Sequence, residues 1–496
     1  MQTVEIIPAP AALIQSLRGL GYSPGTALAD LIDNSLAAAA SLIDINLDWN
    51  GGDPRVTVLD DGRGMSEAAL ADAMRFGGTG PATKRHQDDL GRFGLGLKTA
   101  SLCQCRRLTV ITRYDGKTSA LCWDIDEVER AGAWRAIVTS PADLPAMHQL
   151  EERPHGTLVV WDKMDALAGL WGLDRESFFL RVQDICRYLG MIFHRFLSGD
   201  ARRVTLSVND RNVRGWDPFQ RSHAATITMP TEPMRYREAV VHVTPYVLPH
   251  RDRFANDTEY EEAGGPEGWS ERQGFYVYRQ KRLLVPGGWL GLGGARAWTR
   301  EESSRLARIA IDLPASLDGD WRIDVRKSHA RPPGAMRERL TAISAQCRAK
   351  AREVFAWRGQ RARGQVTREG DTQPIWITAP RAQGSRYQVN REHPAVQSVL
   401  QSLGEGAALI DALLTLVEKS VPVERIWLEV SESDGGSAEK LSRGEINLLA
   451  EQLAALARTL PAEISLEERV DQLTRYLPGD STVLKRTLLE LLRRTP

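Results

Sequence analysis

Apolar side chains recur every three or four positions near the start of the chain and predict a helix over residues 26–40. Ser23 and Pro24 precede it, which is typical of a helix N-terminus with a hydroxyl cap and a proline in the first turn. The stripe facing the core would consist of Leu28, Leu31, Ile32 and Leu36. Asp30 and Asn34 lie four positions apart and share one face of this helix. Such a pair could hold a metal ion or a water molecule, but this helix alone favours an ordinary solvated face.

Two strands are predicted next, and the second ends in an acidic, glycine-containing turn. Residues 43–49 alternate apolar and polar side chains, and residues 55–59 form a second strand. The second strand leads into residues 60–65, with the sequence Asp-Asp-Gly-Arg-Gly-Met. A carboxylate at a strand end accepts hydrogen bonds, and alternate glycines let a ligand ring approach the backbone closely. This turn is therefore a candidate ligand-binding element.

A glycine-rich turn over residues 91–99 opens another predicted helix. Its sequence, Gly-Arg-Phe-Gly-Leu-Gly-Leu-Lys-Thr, combines bare backbone N–H groups, a helix N-terminus and a lysine, which together favour phosphate binding. It is not a Walker A loop, because Leu97 separates Gly96 from Lys98 and that motif needs the two adjacent. Residues 75–98 as a whole are rich in glycine and polar side chains, and their position between two candidate binding motifs favours a mobile lid rather than a plain surface loop.

In this order the motifs resemble those of the GHKL ATPase superfamily, which joins gyrase B, the large heat-shock chaperone, sensor histidine kinases, MutL and MORC proteins. The residues that carry the resemblance are Asp30-x-x-x-Asn34, Asp60-x-Gly62-x-Gly64, Gly91-x-x-Gly94-x-Gly96-x-Lys98 and Gly156-Thr157. Within the superfamily, residues 60–65, 76–78 and 94–99 are most similar to MORC and MutL. The resemblance covers roughly residues 1–355.

The resemblance implies that the protein binds ATP and Mg²⁺, and it assigns roles to individual residues. Asp60 is expected to accept the adenine amino group, and the Thr157 hydroxyl to share a water molecule with this carboxylate. Asn34 is expected to hold Mg²⁺. The other residues expected to line the nucleotide site are Gly62, Gly64, Met65, Gly77, Gly91, Phe93, Gly94, Leu95, Gly96, Leu97 and Lys98.

Two residues are expected to take part in ATP hydrolysis. Asp30 would orient or deprotonate the attacking water, and Lys327 would reach the γ-phosphate from a second domain, with Arg326 and Lys281 as alternatives. The superfamily usually carries glutamate at the position of Asp30. Because aspartate is one methylene shorter, and a misplacement of about 1 Å can cost roughly a hundredfold in rate, we expect slow turnover. Asp33 could give support, and ATP binding is a firmer expectation than hydrolysis.

Length and composition agree with this interpretation. The 496 residues are 42% hydrophobic and 26% charged, which is ordinary for a soluble globular protein of roughly two to four domains. A formal net charge of +0 excludes a global field that would attract nucleic acid or an anionic membrane. The chain shows no signal peptide and no apolar run of membrane-spanning length. Its five cysteines are scattered, lack zinc-site spacing and indicate reduced thiols in a cytoplasmic protein.

The strand and helix patterns predict an α+β fold, with helices laid on one face of a mixed sheet in the Bergerat-type sandwich of the superfamily. The predicted segments are an ATP-binding domain (1–203), an α/β transducer domain (204–358), a linker (359–372) and a mainly helical C-terminal domain for partner binding or dimerisation (373–496). An amphipathic helix over residues 180–197 would close the first domain. Hairpins turning at residues 209–210 and 280–281, a loop over residues 249–272 and a strand over residues 307–313 would belong to the second.

A basic stretch runs from residue 322 to residue 368. It carries thirteen basic and three acidic residues, a net charge of +10, and much of it is predicted to be a long helix. A basic helix beside a dimer cleft could bind DNA phosphates. A charge run is also a common form of solvated surface, and the two interpretations are about equally supported.

Three classes of function compete. The resemblance favours an ATP-dependent homodimer that closes as a clamp on double-stranded DNA or a partner complex, and it implies a role in bacterial DNA repair or antiphage defence. A chaperone-like clamp on protein clients is disfavoured by the basic stretch. A histidine kinase would need a phosphoacceptor helix, and only about twenty residues precede the helix at residues 26–40. A non-hydrolysing nucleotide switch is the alternative if Asp30 does not support hydrolysis.

Overall fold

The computed structural model describes residues 8–76, 96–139, 145–165, 169–200, 203–294, 296–323, 330–355, 375–380, 385–402, 406–421, 443–461, 464–474 and 482–494. The chain divides into two compact units, Met1–Phe355 and Ala356–Pro496. Among the helices of the described residues, none is both long enough and apolar enough to cross a bilayer. The domain boundaries drawn from the sequence remain predictions.

Eight strands build the first sheet of the unit Met1–Phe355. They are β1 (Leu42–Asp48), β2 (Arg55–Asp60), β3 (Cys105–Tyr114), β4 (Lys117–Asp124), β5 (Ile137–Val138), β6 (Gly156–Met164), β7 (Thr205–Val208) and β8 (Arg211–Asn212). Their order across the sheet is β5-β4-β3-β6-β2-β1-β7-β8. Strands β1 and β7 are parallel, and the other neighbouring strands are antiparallel. This mixed sheet with its helices confirms the predicted α+β class.

Eight helices accompany this sheet among the described residues. They are α1 (Pro10–Arg18), α2 (Pro24–Ala37), α3 (Glu67–Met74), α4 (Gly96–Leu102), α5 (Ile125–Ala131), α6 (Pro145–Glu151), α7 (Arg175–Ile192) and α8 (His194–Leu197). The helix predicted over residues 180–197 is present as α7 and α8, and it begins five residues earlier than expected.

Helix α2 is the helix predicted over residues 26–40. Ser23 caps it by accepting a 3.2 Å hydrogen bond from the Thr26 N–H, and Pro24 occupies the first turn, as expected. The predicted apolar stripe is buried at Leu28, Leu31 and Ile32 and half-buried at Leu36. The helix ends at Ala37, earlier than predicted, because Ala39 adopts a left-handed conformation with φ of 66°.

The hairpin predicted to turn at Asn209 and Asp210 is formed by β7 and β8. Both turn residues have positive φ, 47° and 62°, as a tight two-residue hairpin turn requires. The sequence places this hairpin at the start of the second domain, whereas in the structure β7 adds to β1 in the first sheet. A parallel neighbour that lies more than 160 residues away along the chain leaves no local sequence signal.

Six strands form the second sheet of the same unit. They are β9 (Ile227–Thr228), β10 (Glu232–Tyr236), β11 (Ala239–Val247), β12 (Gly274–Arg279), β13 (Arg282–Pro286) and β14 (Ala307–Leu313). The order is β10-β11-β14-β12-β13, with β9 pairing on β11. Strand β14 coincides with the strand predicted over residues 307–313. The predicted hairpin turn at Gln280 and Lys281 is present, with φ of 49° and 71°.

Three further α-helices lie in the described residues of this part of the chain. They are α9 (Asp257–Gly264), α10 (Gly268–Glu271) and α11 (Gly334–Phe355). The prediction of a loop over residues 249–272 is wrong, because α9 and α10 lie there. Asn256 caps α9 by accepting a 2.9 Å bond from the Glu259 N–H, and Tyr260 stacks on Trp269 with ring centroids 4.6 Å apart. These contacts stabilise helices too short to show a clear apolar period.

Buried aromatic side chains join the two sheets of this unit. Phe219 stacks on Tyr246 at 4.6 Å, and Tyr278 of β12 is fully buried beside α8. His194 of α8 forms a 2.8 Å hydrogen bond with the Tyr278 hydroxyl, and burial lowers the pKa of His194 to about 4. The neighbouring Arg195 forms an ion pair with Asp312 of β14. The second sheet is thus fixed against the helices of the first.

The described part of the basic stretch lies mainly in α11, where protein acceptors engage several of its cations. Arg339 pairs with Glu232, and both Arg348 and Arg352 pair with Glu301. Two more basic side chains of α11 are also engaged, Lys350 with Glu353 and Arg337 with the Gly291 carbonyl. These pairs favour a structural role for the charge of α11 over DNA binding.

The unit Ala356–Pro496 has one strand pair and five helices among its described residues. They are β15 (Trp376–Pro380), β16 (Ser385–Val389), α12 (Pro394–Ser402), α13 (Ala407–Ser420), α14 (Arg443–Thr459), α15 (Leu466–Thr474) and α16 (Thr482–Arg494). Strands β15 and β16 are antiparallel. Ala450 and Ala454 of α14 share a small core with Leu484 and Leu488 of α16. The mainly helical character predicted for this region is confirmed.

Candidate functional site

The carboxylate of Asp60 lies at the end of β2 and is buried. Its Oδ2 accepts a 2.7 Å hydrogen bond from Ser35 Oγ on α2, and its Oδ1 accepts a 2.9 Å bond from the Gly62 N–H. Burial raises the pKa of Asp60, and the hydrogen bonds from Ser35 and Gly62 oppose this shift. The result is a hydrogen-bond acceptor whose orientation is fixed by a helix and a turn.

Thr157 is brought beside this carboxylate by the pairing of β2 with β6, in which it lies opposite Asp60. A Cβ atom at the preceding Gly156 would lie 2.5 Å from the Asp60 carbonyl oxygen, so only glycine allows this approach. Thr112 Oγ1 donates to the Gly156 carbonyl at 3.2 Å and accepts from the Met65 N–H at 2.8 Å. The acidic turn, β3 and β6 therefore meet at one place.

The two glycines of the acidic turn are closely surrounded. A Cβ atom at Gly62 would lie 2.8 Å from the Ala38 Cβ. At Gly64, where φ is +65°, a Cβ atom would lie 2.0 Å from the Arg113 carbonyl oxygen. Packing and backbone conformation thus require glycine here, and the turn carries no side chain at these two positions.

Gly64→Ala is expected to lower the free energy of unfolding by at least about 2 kcal/mol, because the added Cβ would collide with backbone as well as strain φ. Gly116→Ala is the matched control, since Gly116 also has a positive φ, +74°, but nothing lies within 4 Å of its Cβ position. That variant should lose only about 1 kcal/mol. Urea unfolding of both variants measures the difference, and equal losses would contradict the crowding argument.

Asp30 is buried on α2, and Asn34, one turn later, is exposed. The Tyr22 hydroxyl donates a 3.1 Å hydrogen bond to Asp30 Oδ2. Gly96, the first residue of α4, packs against the same carboxylate, since a Cβ atom there would lie 3.5 Å from Asp30 Oδ2. The structure therefore brings Asp30 beside Gly96, and its predicted role in hydrolysis remains a prediction.

Lys98 is buried on α4, and its Nζ donates a 2.6 Å hydrogen bond to the Ala73 carbonyl at the end of α3. The same Nζ lies 5.9 Å from the centre of the Phe76 ring. Burial lowers the pKa of Lys98 to about 8. An ammonium group has three N–H donors, so this bond neither requires nor excludes a contact with phosphate, and the predicted phosphate role of Lys98 remains a prediction.

Several predicted site residues lie outside the described part of the chain. They are Gly77, Gly91, Phe93, Gly94, Leu95 and Lys327, together with the alternative Arg326 and most of the predicted lid. Leu97 and Met65 are described and are half-buried. Among the described residues, no group of three or more His, Cys, Asp or Glu side chains is placed to hold a metal ion.

Residues 22–157 match the model of the family described as histidine kinase-, DNA gyrase B-, and HSP90-like ATPase. This chain carries a GHKL ATPase domain. The matched range contains the described site residues from Asp30 on α2 to Thr157 on β6. The match supports ATP binding by the GHKL domain.

Proteins similar to the GHKL domain include MutL and MORC proteins. The DNA mismatch repair protein MutL of Shewanella baltica is 31% identical over 156 residues, which are 30% of this chain and 23% of that protein. MutL of Rhodospirillum rubrum is 34% identical over 98 residues, 20% of this chain and 15% of that protein. ATPase morc-1 of Caenorhabditis elegans is 33% identical over 99 residues, 20% of this chain and 11% of that protein. The chain spans less than a quarter of the length of each relative.

Three supporting residues of the GHKL domain were not predicted from the sequence. Ser35 fixes Asp60, Tyr22 contacts Asp30, and Thr112 joins the acidic turn to β6. Each of these residues contacts a partner that is not its neighbour in the sequence. The pattern of residues around it therefore does not indicate the contact. The position of Ser35 directly after Asn34 in the helical motif is the strongest available hint.

The raised pKa of Asp60 predicts a pH-dependent effect on stability. A carboxyl group whose pKa is higher in the folded than in the unfolded state stabilises the fold most when protonated, and this contribution is lost as pH rises through the folded-state pKa. Asp60→Asn removes this titration. We therefore expect the thermal stability of the variant, relative to wild type, to be higher at pH 7 than at pH 4.

Asp61→Asn is the control, for which the expected change of relative stability with pH has the opposite sign. Burial alone would raise the pKa of Asp61, but hydrogen bonds from the Leu42 N–H and the Ser41 hydroxyl and N–H outweigh it and lower the pKa. The stability that this carboxylate provides is present at neutral pH and lost as pH falls. Relative to wild type, Asp61→Asn should therefore be less stable at pH 7 than at pH 4, as measured by thermal melts of both variants.

Proposed function

We propose that the protein binds Mg-ATP in its GHKL domain and hydrolyses it slowly, and that this cycle closes a homodimeric clamp on double-stranded DNA or on a partner complex. One observation carries the proposal. Helix α2 presents Asp30 and Asn34 and also fixes the Asp60 carboxylate through Ser35. The predicted adenine, metal and water ligands are therefore positioned by a single helix.

The surroundings of Asp60 support recognition of adenine. A carboxylate offers about four acceptor positions, and the hydrogen bonds from Ser35 and Gly62 leave capacity for a further donor such as an exocyclic amino group. The adjacent turn carries no side chain at Gly62 or Gly64, so a flat ring can approach the backbone there. The residues present thus fit the nucleotide.

Asn34 is the residue proposed to hold Mg²⁺. Its exposed amide offers an oxygen ligand of the kind that this ion accepts, with water and phosphate oxygens as the usual remaining ligands. When bound, the ion would supply neutralisation of the charge on the phosphates.

Asp30 is proposed to hold or deprotonate the attacking water. Tyr22 fixes one of its oxygens, and its contact with Gly96 places it where the glycine-rich turn ends. Phosphoryl transfer depends mainly on positioning and charge stabilisation, so a shorter side chain at this place favours slow turnover.

The clamp and its DNA substrate are proposed from the relatives. The MutL relatives are named for DNA mismatch repair, which supports an action on DNA. The extension to antiphage defence rests only on the resemblance of the sequence motifs to bacterial MORC-like proteins. We do not assign DNA contact to α11, because protein acceptors engage five of its basic side chains.

The proposal is tested with the full chain by light scattering and DNA retention, each with and without a non-hydrolysable ATP analogue. We expect the analogue to convert monomer to dimer and to retain circular, but not linear, plasmid through a high-salt wash. A protein that stays monomeric and retains DNA equally with and without nucleotide would contradict the clamp proposal. Turnover stimulated by unfolded protein and not by DNA would favour the chaperone function, and absence of ATP binding would overturn the whole proposal.

A further inference from the structure

The acidic side chain between Asp30 and Asn34 on α2 is engaged by the second sheet. Asp33 pairs with Arg282, the first residue of β13, whose Nε lies 3.2 Å from Oδ2 and 3.3 Å from Oδ1. Both side chains are buried, with 1% of Asp33 and 3% of Arg282 exposed. The pair spans 249 residues of sequence and connects the helix of the nucleotide site to the hairpin β12–β13.

The surroundings of Arg282 hold its guanidinium in one orientation. Its Nη1 donates a 2.9 Å hydrogen bond to the Leu283 carbonyl, and its guanidinium carbon lies 5.9 Å from the centre of the Phe193 ring. Burial disfavours the charged form of Arg282, but the charges of Asp33 and Asp30 outweigh this effect and raise its pKa. Arg282 is therefore held in its charged form as the direct partner of Asp33 on α2.

A buried ion pair is a poor way to gain stability. The cost of removing both charges from water commonly matches their attraction, and apolar replacements of similar volume are often as stable. Apolar side chains of α2 already anchor the helix, since Leu28, Leu31 and Ile32 are buried in the core of the first sheet. A directional ion pair also fixes the rotation of α2 about its axis and its position along that axis. Asp33 and Asp30 are three residues apart, so that rotation also sets the position of the Asp30 carboxylate.

We propose that Arg282 is a positioning residue for ATP hydrolysis. It holds α2 through Asp33 so that Asp30 faces the phosphates. Turnover then depends on the position of hairpin β12–β13 against α2. The inference rests on the proposed ATPase function. Adenine recognition uses Asp60 and Ser35, whose hydrogen bond does not involve Arg282. Loss of Arg282 should therefore reduce turnover far more than binding.

The test compares four variants for kcat, ATP dissociation constant and thermal midpoint. Arg282→Met should lower kcat at least tenfold and change the dissociation constant less than threefold, and Arg282→Lys should recover part of kcat. The double variant Asp33→Leu/Arg282→Met should recover the thermal midpoint but not kcat, because apolar packing replaces the stability and not the orientation. Arg195→Met is the matched control, since Arg195 pairs with Asp312 across the same two sheets through α8 and not α2. It should lower the midpoint and leave the kcat of the folded protein unchanged.

Three results would overturn the inference while leaving the proposed function intact. The first is an active wild type with unchanged kcat in Arg282→Met. The second is a double variant that regains kcat together with its thermal midpoint, and the third is an Arg195→Met variant that loses kcat to the same extent as Arg282→Met. Either of the last two would make the pair purely structural. A wild type that binds ATP without turning it over would reject the hydrolytic function itself, and this inference with it.

Discussion

Asp30→Asn is expected to lower kcat for ATP hydrolysis by a factor of roughly 10²–10⁴, the usual contribution of general base catalysis, while ATP affinity changes less than about threefold. The asparagine has nearly the same shape and can still accept the hydrogen bond from Tyr22, so the fold around it should persist. It cannot take a proton from water. Steady-state turnover together with equilibrium binding of ATP by both proteins measures the two effects separately.

Tyr22→Phe is the matched control for Asp30→Asn. It removes the 3.1 Å hydrogen bond to Asp30 Oδ2 and leaves the carboxylate, so kcat should fall by about tenfold or less. If Asp30→Asn retained wild-type turnover, Asp30 would not be the residue that activates water. If wild type bound ATP and showed no turnover, the protein would be a nucleotide switch, and the shorter acid at this position would be the physical reason.

Asp60→Asn is expected to weaken ATP binding by roughly ten- to a hundredfold, or about 1.5–3 kcal/mol, the usual range for a hydrogen bond to a charged group. The carboxylate accepts from Ser35 and Gly62 on its two oxygens and would accept the adenine amino group as well. In the variant an amide NH₂ replaces one oxygen and would face that amino group donor to donor. Isothermal titration with ATP and with GTP measures the loss and its base specificity.

Ser35→Ala provides the graded control for Asp60→Asn. It keeps the carboxylate but removes the 2.7 Å bond that orients Oδ2, so the loss of ATP affinity should be about tenfold or less. Comparing the two variants separates the effect of the Asp60 charge on ATP affinity from the effect of the orientation of its carboxylate. Unchanged ATP affinity in Asp60→Asn would mean that adenine is recognised elsewhere.

Local signals were sufficient to predict the elements that form the site. Ser23 and Pro24 predict the start of α2, and the acid and glycines of residues 60–65 predict a turn that the structure packs against β3 and β6. The hairpin turn at Gln280 and Lys281 was found because a short polar run between two apolar runs leaves a clear pattern.

What the sequence did not predict depends on distant partners. The pairing of β7 with β1 and of Arg282 with Asp33 joins segments with no shared periodicity. Helices α9 and α10 were missed because caps and one aromatic stack, not an apolar stripe, stabilise them. The predicted roles of the lid and of Lys327 concern residues outside the described ranges.

The strand order of the first sheet also restricts when the site can form during synthesis on the ribosome. Strand β2 pairs with β1 on one side, but its other neighbour is β6, so the second sheet neighbour of Asp60 exists only once residues 156–164 are made. Strand β7 completes the other side only after residue 208, and Arg282 follows more than seventy residues later. A nascent chain therefore exposes an unpaired β2 edge during much of its elongation. ATP could assist folding only once β6 has emerged, since Thr157 of β6 belongs to the proposed site.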